Sequence, residues 1–149
     1  MPEQPNPEKI KVNLHGHFLP DYERWWRKEF GIKGENLAKV VTDKCLKRGI
    51  GISVITNEPA YSNFNQKSRF ELFAEEAKVI WGSYKSELIS PNLLAISKNG
   101  KTVYFLDGQS IRVQSDGREV EILSFGSGKV PNNRSLEETL QYLSDKGLP

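Results

Sequence analysis

The feature that most constrains the fold is an apolar strand that follows an amphipathic helix without a gap. Residues 50–56 read IGISVIT, which is β-branched and apolar on both faces, as expected of a strand buried in a parallel sheet. A helix is predicted over 35–48, and Gly49 fits the left-handed position that ends it. The apolar stripe of this helix comprises Leu37, Val40, Val41 and Cys45.

A first strand precedes this pair. Residues 10–14 alternate between apolar and polar side chains, which predicts a strand. Asp21 is suited to cap a further helix over 22–30. Strand, helix and strand at this spacing predict a right-handed βαβ unit with two parallel strands.

The second half of the chain has a different pattern. Asn99-Gly100, Asp107-Gly108 and Asp116-Gly117 are turn dipeptides at intervals of eight and nine residues. The β-branched and aromatic segments between them predict an antiparallel meander over about 93–125. The fold class is therefore α/β, with parallel strands and helices followed by an antiparallel meander.

Two capping boxes predict where the remaining helices begin. Ser68 followed by Glu71 starts one helix, and Ser135 followed by Glu138 starts the last, which Gly147 ends. After the first of these helices, residues 79–81 (Val-Ile-Trp) predict a third strand.

Composition excludes several classes of protein. A chain of 149 residues is the size of one domain, and we expect residues 1–9 to be a flexible leader and 10–149 to be that domain. No apolar run approaches the ~18 residues of a membrane-spanning helix. One cysteine excludes a disulfide framework, and a net charge of +2 does not argue for nucleic acid. We expect a cytoplasmic protein that does not bind membranes.

The chain has two histidines, His15 and His17, at the end of the first predicted strand. Positions i and i+2 of a strand project to the same side, so two imidazoles there can reach one metal ion. Asn13 shares that side and can support the pair through a hydrogen bond. The alternative is a pair of histidines that makes ordinary hydrogen bonds at a strand end.

Glu58 follows the strand at 50–56 after Thr56 and Asn57. If the two strands are parallel neighbours, Glu58 lies beside His15 and His17. Two histidines and a carboxylate are an ordinary ligand set for zinc, manganese or iron, so we expect at least one such divalent ion. The alternative for Glu58 is an exposed loop residue.

Residues 12–17, VNLHGH, resemble the first motif of the PHP (polymerase and histidinol phosphatase) superfamily of metal-dependent phosphoesterases, in which a strand ends in His-x-His. Residues 46–58 resemble the second motif, in which a buried strand closes with Thr-Asp-His. Residues 79–82 and 120–126 resemble later strands, and 135–147 resembles a helix before a further strand. The resemblance implies a distorted β/α barrel, of which this chain has a partial, truncated or degenerate N-terminal portion.

The chain departs from the family pattern at several motif positions. Asn57 stands where the family has Asp, and Glu58 where it has His. The third motif places a Glu where this chain has Tyr84, with Glu87 as the nearest alternative. His15 and His17 therefore carry over directly, and Glu58 carries over only as a substituted ligand.

Three function hypotheses follow. The resemblance implies a PHP-type hydrolase in which metal activates water for attack on a phosphoester, either a small phosphorylated molecule or a nucleotide. Arg24, Lys67 and Arg69 flank the site in sequence, but solvated charges are the favoured interpretation. The second hypothesis is a catalytically inactive PHP-like binding or assembly module, in which a homo-oligomer or a protein partner covers the open sheet. The third is a piece of a longer product whose remaining ligands lie beyond Pro149.

Overall fold

The computed structural model describes residues 10–16, 36–57, 67–128 and 130–147 of the chain. These ranges form an α/β fold, which confirms the predicted class. The leader at 1–9 and the helix predicted over 22–30 lie outside them. The strands are β1 (Lys11–Gly16), β2 (Ile50–Asn57), β3 (Tyr84–Ser90), β4 (Leu93–Lys98), β5 (Lys101–Ser115), β6 (Arg118–Phe125) and β7 (Arg134–Ser135), and the helices are α1 (Leu37–Arg48), α2 (Arg69–Lys78) and α3 (Leu136–Asp145).

The long strand β5 is the centre of the sheet, whose order is β1-β2-β5-β4-β3. β2 pairs in parallel with residues 104–109 of β5, and β4 pairs antiparallel with residues 101–106. Because both contact residues 104–106, they lie on opposite edges of β5. Further along β5, β6 pairs with residues 108–115 on the same edge as β4. β7 pairs with β5 on the same edge as β2.

The antiparallel meander is confirmed, but it differs from the prediction in two places. Its first strand is β3, which begins at Tyr84 rather than near 93. Asp107-Gly108 is not a turn and lies inside β5. This dipeptide marks the point where β5 exchanges β4 for β6 as its neighbour, and paired backbone on both edges keeps the strand extended there. Asn99-Gly100 and Asp116-Gly117 do form the predicted turns, with positive φ at all four residues.

The strand predicted at residues 79–81 is wrong. α2 ends at Lys78, and the segment that follows is a turn in which Val79 and Trp81 are 72% and 78% exposed. The parallel position next to β2 is occupied by β5 instead, so this segment has no strand to pair with.

Local capping explains where the helices begin. The predicted capping boxes at Ser68 and Ser135 are both present. Asn36 caps α1 by accepting a hydrogen bond from the Lys39 backbone N–H at 3.1 Å, and Gly49 ends the helix with φ of 69°.

The helices pack on one face of the sheet. α1 and α2 cover the first half of β5, where Phe73 and Phe105 meet with ring centroids 4.8 Å apart. α3 covers its second half, where Leu143 packs with Ile111 and Val113. No described helix has both the length and the apolar character needed to cross a membrane.

The opposite face of the sheet carries exposed apolar side chains. The strand register places Val12, Tyr104, Leu123 and Phe125 there, with exposed fractions of 47%, 41%, 38% and 38%. We call these four residues the apolar face. Within the described ranges the sheet is open, with β1 and β3 at its edges, so a closed barrel is not formed by this part of the chain.

Candidate functional site

The predicted metal ligands lie in the sequence at or just after the carboxyl ends of β1 and β2. These strands are parallel neighbours, as expected, with Asn13 opposite Ser53 and Gly16 opposite Ile55. His15 lies in β1 within this paired stretch. His17 and Glu58 lie outside the described residues, and Glu58 directly follows the last residue of β2, Asn57.

Asn13 contacts the second strand. Its side-chain Nδ2 donates to Ser53 Oγ at 3.2 Å, and Ser53 in turn contacts Cys45. Cys45 is buried, as its place on the apolar stripe predicts, and this burial raises the pKa of its thiol. Asn13 therefore ties β1 to β2 near the predicted site.

Arg69 is not the solvated charge that was predicted. It is 3% exposed, and its NH1 group donates to the Thr56 carbonyl at 3.0 Å. Lys67 agrees with the prediction, since it is exposed and paired with Glu75. Arg24 lies outside the described residues. A guanidinium group is thus buried at the end of β2, and no local sequence signal distinguishes Arg69 from a surface residue of the first helical turn.

Asn57 is the centre of a polar cluster at the end of β2 and the start of α2. Its Nδ2 donates to Asp107 Oδ1 at 2.8 Å and to the Gly108 carbonyl at 2.9 Å. Its Oδ1 accepts the Arg69 backbone N–H at 2.7 Å. One buried amide thereby links β2, β5 and the first turn of α2, and its donors and acceptor are satisfied.

Asp107 is the most perturbed titratable group among the described residues. It is 5% exposed, and burial raises its pKa to about 7. The hydrogen bond from Asn57 opposes this shift, whereas the nearby carboxylate of Glu71 adds to it. A carboxyl group that is half-ionised near neutral pH is suited to give or take a proton.

Asp107 borders a cleft of about 390 Å³ on the helix-covered face of the sheet. The Asp107 backbone is held on both sides, since its N–H donates to the Asn92 carbonyl at 2.9 Å and its carbonyl accepts from Gly126 at 2.7 Å. Sequence reasoning missed this residue because Asp-Gly is typical of a turn. Its burial arises only from the pairing of β5 with strands distant in sequence.

The described residues contain no cluster of three or more His, Cys, Asp or Glu side chains placed to hold a metal ion. Glu87, the alternative third-motif residue, is not placed to share a metal ion with His15. It lies on β3, at the edge of the sheet opposite β1, and its side chain is exposed. Tyr84 is a buried residue whose hydroxyl donates to Asp43 at 2.6 Å.

Comparison of the chain with protein-family models, with curated proteins and with solved structures found no match.

Proposed function

We propose that this chain is a metal-dependent phosphoester hydrolase of the PHP type, in which His15, His17 and Glu58 hold a divalent ion. The parallel pairing of β1 and β2 carries the proposal, because it supports an approach of the two strand ends from which these residues come. Two imidazoles and one carboxylate are a donor set that fits zinc, manganese or iron. The parallel strands β1, β2 and β5 support a partial β/α barrel of this family.

When bound, the ion supplies Lewis-acid chemistry that activates water and offsets charge on phosphoryl oxygens. The chain itself contributes Arg69. Its guanidinium is held against the Thr56 carbonyl, two residues before Glu58. A fixed positive charge at this end of β2 favours the approach of a negatively charged phosphoester. Asn57 holds the first turn of α2, and therefore Arg69, in this position.

Metal content and turnover test this proposal together. The wild-type protein is dialysed against zinc, manganese and iron in separate experiments, and bound metal per chain is counted. Hydrolysis of p-nitrophenyl phosphate and of bis-p-nitrophenyl phosphate is then measured. The variants are the double substitution His15→Ala, His17→Ala and the single substitution Glu58→Gln. Glu87→Gln is the matched control, because it removes one carboxylate at the far edge of the sheet.

We expect about one or more equivalents of metal and metal-dependent turnover in the wild type and in Glu87→Gln. The histidine double variant should lose both, and Glu58→Gln should bind metal more weakly. Absence of metal from the wild-type protein, or equal binding by the histidine double variant, would contradict the proposal.

The apolar face favours a second candidate, a catalytically inactive PHP-like module that binds or assembles. Four large apolar side chains that are at least 38% exposed share one face of the sheet, which favours contact with another protein surface. We infer that a second copy of the chain, or another protein, covers this face. An oligomer that binds no metal and hydrolyses neither phosphate substrate would favour this candidate over the enzyme.

A further inference from the structure

The cleft beside Asp107 is lined mainly by polar and charged side chains. Its volume of about 390 Å³ suits a small molecule. It is bounded by the start of α2, the turn between β3 and β4, and the end of α3. The side chains that matter here are Ser68, Glu71, Asn92, Asp107, Tyr142 and Lys146.

The carboxyl group of Asp107 has an unused acceptor facing this cleft. Asp107 is 5% exposed, and its Oδ1 accepts the bond from Asn57. Within the described chain, no hydrogen bond reaches its second oxygen, Oδ2. This oxygen is not one of the fully buried side-chain atoms of the described chain that lack a partner, and Asp107 lines the cleft, so a donor in the cleft can reach it.

The start of α2 does not make this cleft an anion site. The Arg69 N–H is taken by Asn57, and the Glu71 N–H is taken by Ser68 Oγ. The Glu71 carboxylate already accepts the Ser68 N–H at 2.8 Å, which places a negative charge at this helix end. The side of the cleft formed by Glu71 and Asp107 therefore carries negative charge when both carboxyl groups are ionised.

The cation that lines the cleft among the described residues does not neutralise these carboxyl groups. Lys146 Nζ lies 4.8 Å from the centre of the Tyr142 ring and 3.5 Å from the Ser127 carbonyl oxygen. It forms no ion pair with Glu71 or Asp107 in the described structure. Arg134 Cζ also lies 5.6 Å from the centre of this ring, so the Tyr142 ring already faces two cations of the chain.

We propose that this cleft binds a small organic molecule through a primary ammonium group, with Asp107 Oδ2 accepting one of its N–H donors. Glu71 contributes the second negative charge. An ammonium group fits better than a divalent metal, because Mg²⁺ and Ca²⁺ need several oxygen ligands and the described residues gather no such set here.

Ligand binding and the ionisation of Asp107 are coupled in this site. Burial raises the pKa of Asp107 to about 7, so the negative form that an ammonium ion prefers is scarce below that pH. Affinity should therefore increase as pH rises through 7, and bound ligand should lower the pKa. The charged and polar groups around Asp107 are Glu71 and Arg69 from α2, Tyr142 and Lys146 from the end of α3, Asn57 from β2 and Asn92 from the β3–β4 turn.

The test is a titration of the full chain with n-butylammonium chloride at constant ionic strength, followed by calorimetry or NMR. n-Butanol is the neutral control ligand. We expect saturable binding on the order of millimolar at pH 8, weaker by about tenfold at pH 6, and no binding of n-butanol. Asp107→Asn should weaken binding at least tenfold at pH 8 and remove the pH dependence. Glu71→Gln keeps the helix cap but removes charge, and should weaken binding less.

Glu75→Gln is the matched control variant, because Glu75 lies on the same helix but pairs with Lys67 outside the cleft. It should bind as the wild type does. Equal binding by Asp107→Asn, or absence of saturable binding to the wild type, would overturn the proposal. If Asp107→Asn does not fold, an NMR titration of the wild-type Asp107 carboxyl carbon decides the question. Its pKa should fall when n-butylammonium is added, and an unmoved pKa would overturn the proposal.

Discussion

At the residue scale, Asp107 and Asn57 are two of the polar residues that the described structure buries, and they are hydrogen-bonded to each other. Each is a short polar side chain in a strand, and each is held by groups from another element. Asn57 is buried because α2 and β5 close over the end of β2. The ionisation of Asp107 follows from the same closure, since burial is the main cause of its raised pKa.

The pKa of Asp107 predicts how stability depends on pH. Its pKa is about 7 in the folded protein against an ordinary value of 3.8, so the folded state holds this proton more tightly. The free energy of unfolding should therefore fall as pH rises from about 4 to about 7 and stay lowered above that. Asp107→Asn removes this penalty, which is on the order of 4 kcal/mol at most at pH 8. Urea denaturation of both proteins at pH 5 and pH 8 measures it, and an equal pH dependence in Asp107→Asn would contradict the assignment.

Asn57→Ala tests the polar cluster directly. The substitution leaves a buried carboxyl oxygen, a carbonyl and an N–H without their partners, so we expect a loss of about 2–3 kcal/mol in the free energy of unfolding. Gln114→Ala, at an exposed position of β5, should change it by less than about 0.5 kcal/mol. Chemical denaturation at pH 5 measures the free energy of unfolding of both variants. Similar losses in the two would contradict a stabilising role for the hydrogen bonds of Asn57.

At the scale of the elements, β5 depends on a close approach that only glycine permits. A Cβ atom at Gly108 would lie 2.4 Å from Val54 Cγ1 and 3.4 Å from the Ser124 carbonyl oxygen. This tight contact lets β2 and β6 meet β5 at the same residue.

Gly108→Ala should therefore destabilise the protein by about 1–3 kcal/mol through overpacking. Val54→Ala removes the atom that the new methyl group would strike. In the double variant, the effect of Gly108→Ala should be smaller than in the wild-type background, which a double-mutant cycle of unfolding free energies measures. Simple additivity of the two losses would show that the clash with Val54 is not the cause.

The capping box at the start of α3 is a feature that the sequence alone predicts, and a substitution can test it. Ser135 accepts the Glu138 N–H at 3.1 Å, and the Glu138 carboxylate accepts the Ser135 N–H at 3.0 Å. Ser135→Ala should lower the free energy of unfolding by about 1 kcal/mol. Ser144→Ala, at an exposed position of the same helix, should not lower it. Thermal or urea denaturation distinguishes the two, and equal stability of both variants would contradict the capping role.

At the scale of the whole molecule, the described helices cover one face of the sheet and not the other. The three described helices lie on one face, whereas the apolar face retains Val12, Tyr104, Leu123 and Phe125 at least 38% exposed. Burying such a patch removes apolar area from water at roughly 25 cal/mol per Å². The asymmetry predicts association through this face.

Tyr104→Lys and Phe125→Lys should each weaken self-association at least tenfold, because a charged side chain resists burial in an apolar interface. Both residues are exposed enough for the fold of the single chain to tolerate the change. Glu137→Lys, on the exposed side of α3, is the control and should associate as the wild type does. Sedimentation equilibrium over a range of concentrations provides the measurement. A wild-type protein that stays monomeric throughout would contradict this prediction.

The sequence by itself determined the starts of α2 and α3, the end of α1 at Gly49, the strand at Ile50–Asn57 and its parallel neighbour β1. These features depend on caps and periodicities that act within a few residues, so a local pattern contains the information. Only the tertiary structure decided that Asp107-Gly108 continues a strand, that Arg69 is buried, and that the segment after α2 is a turn. The bond between Asn57 and Asp107 joins residues 50 positions apart. Burial and strand pairing at such separations arise from the packing of whole elements, which overrides what the same dipeptide or side chain favours locally.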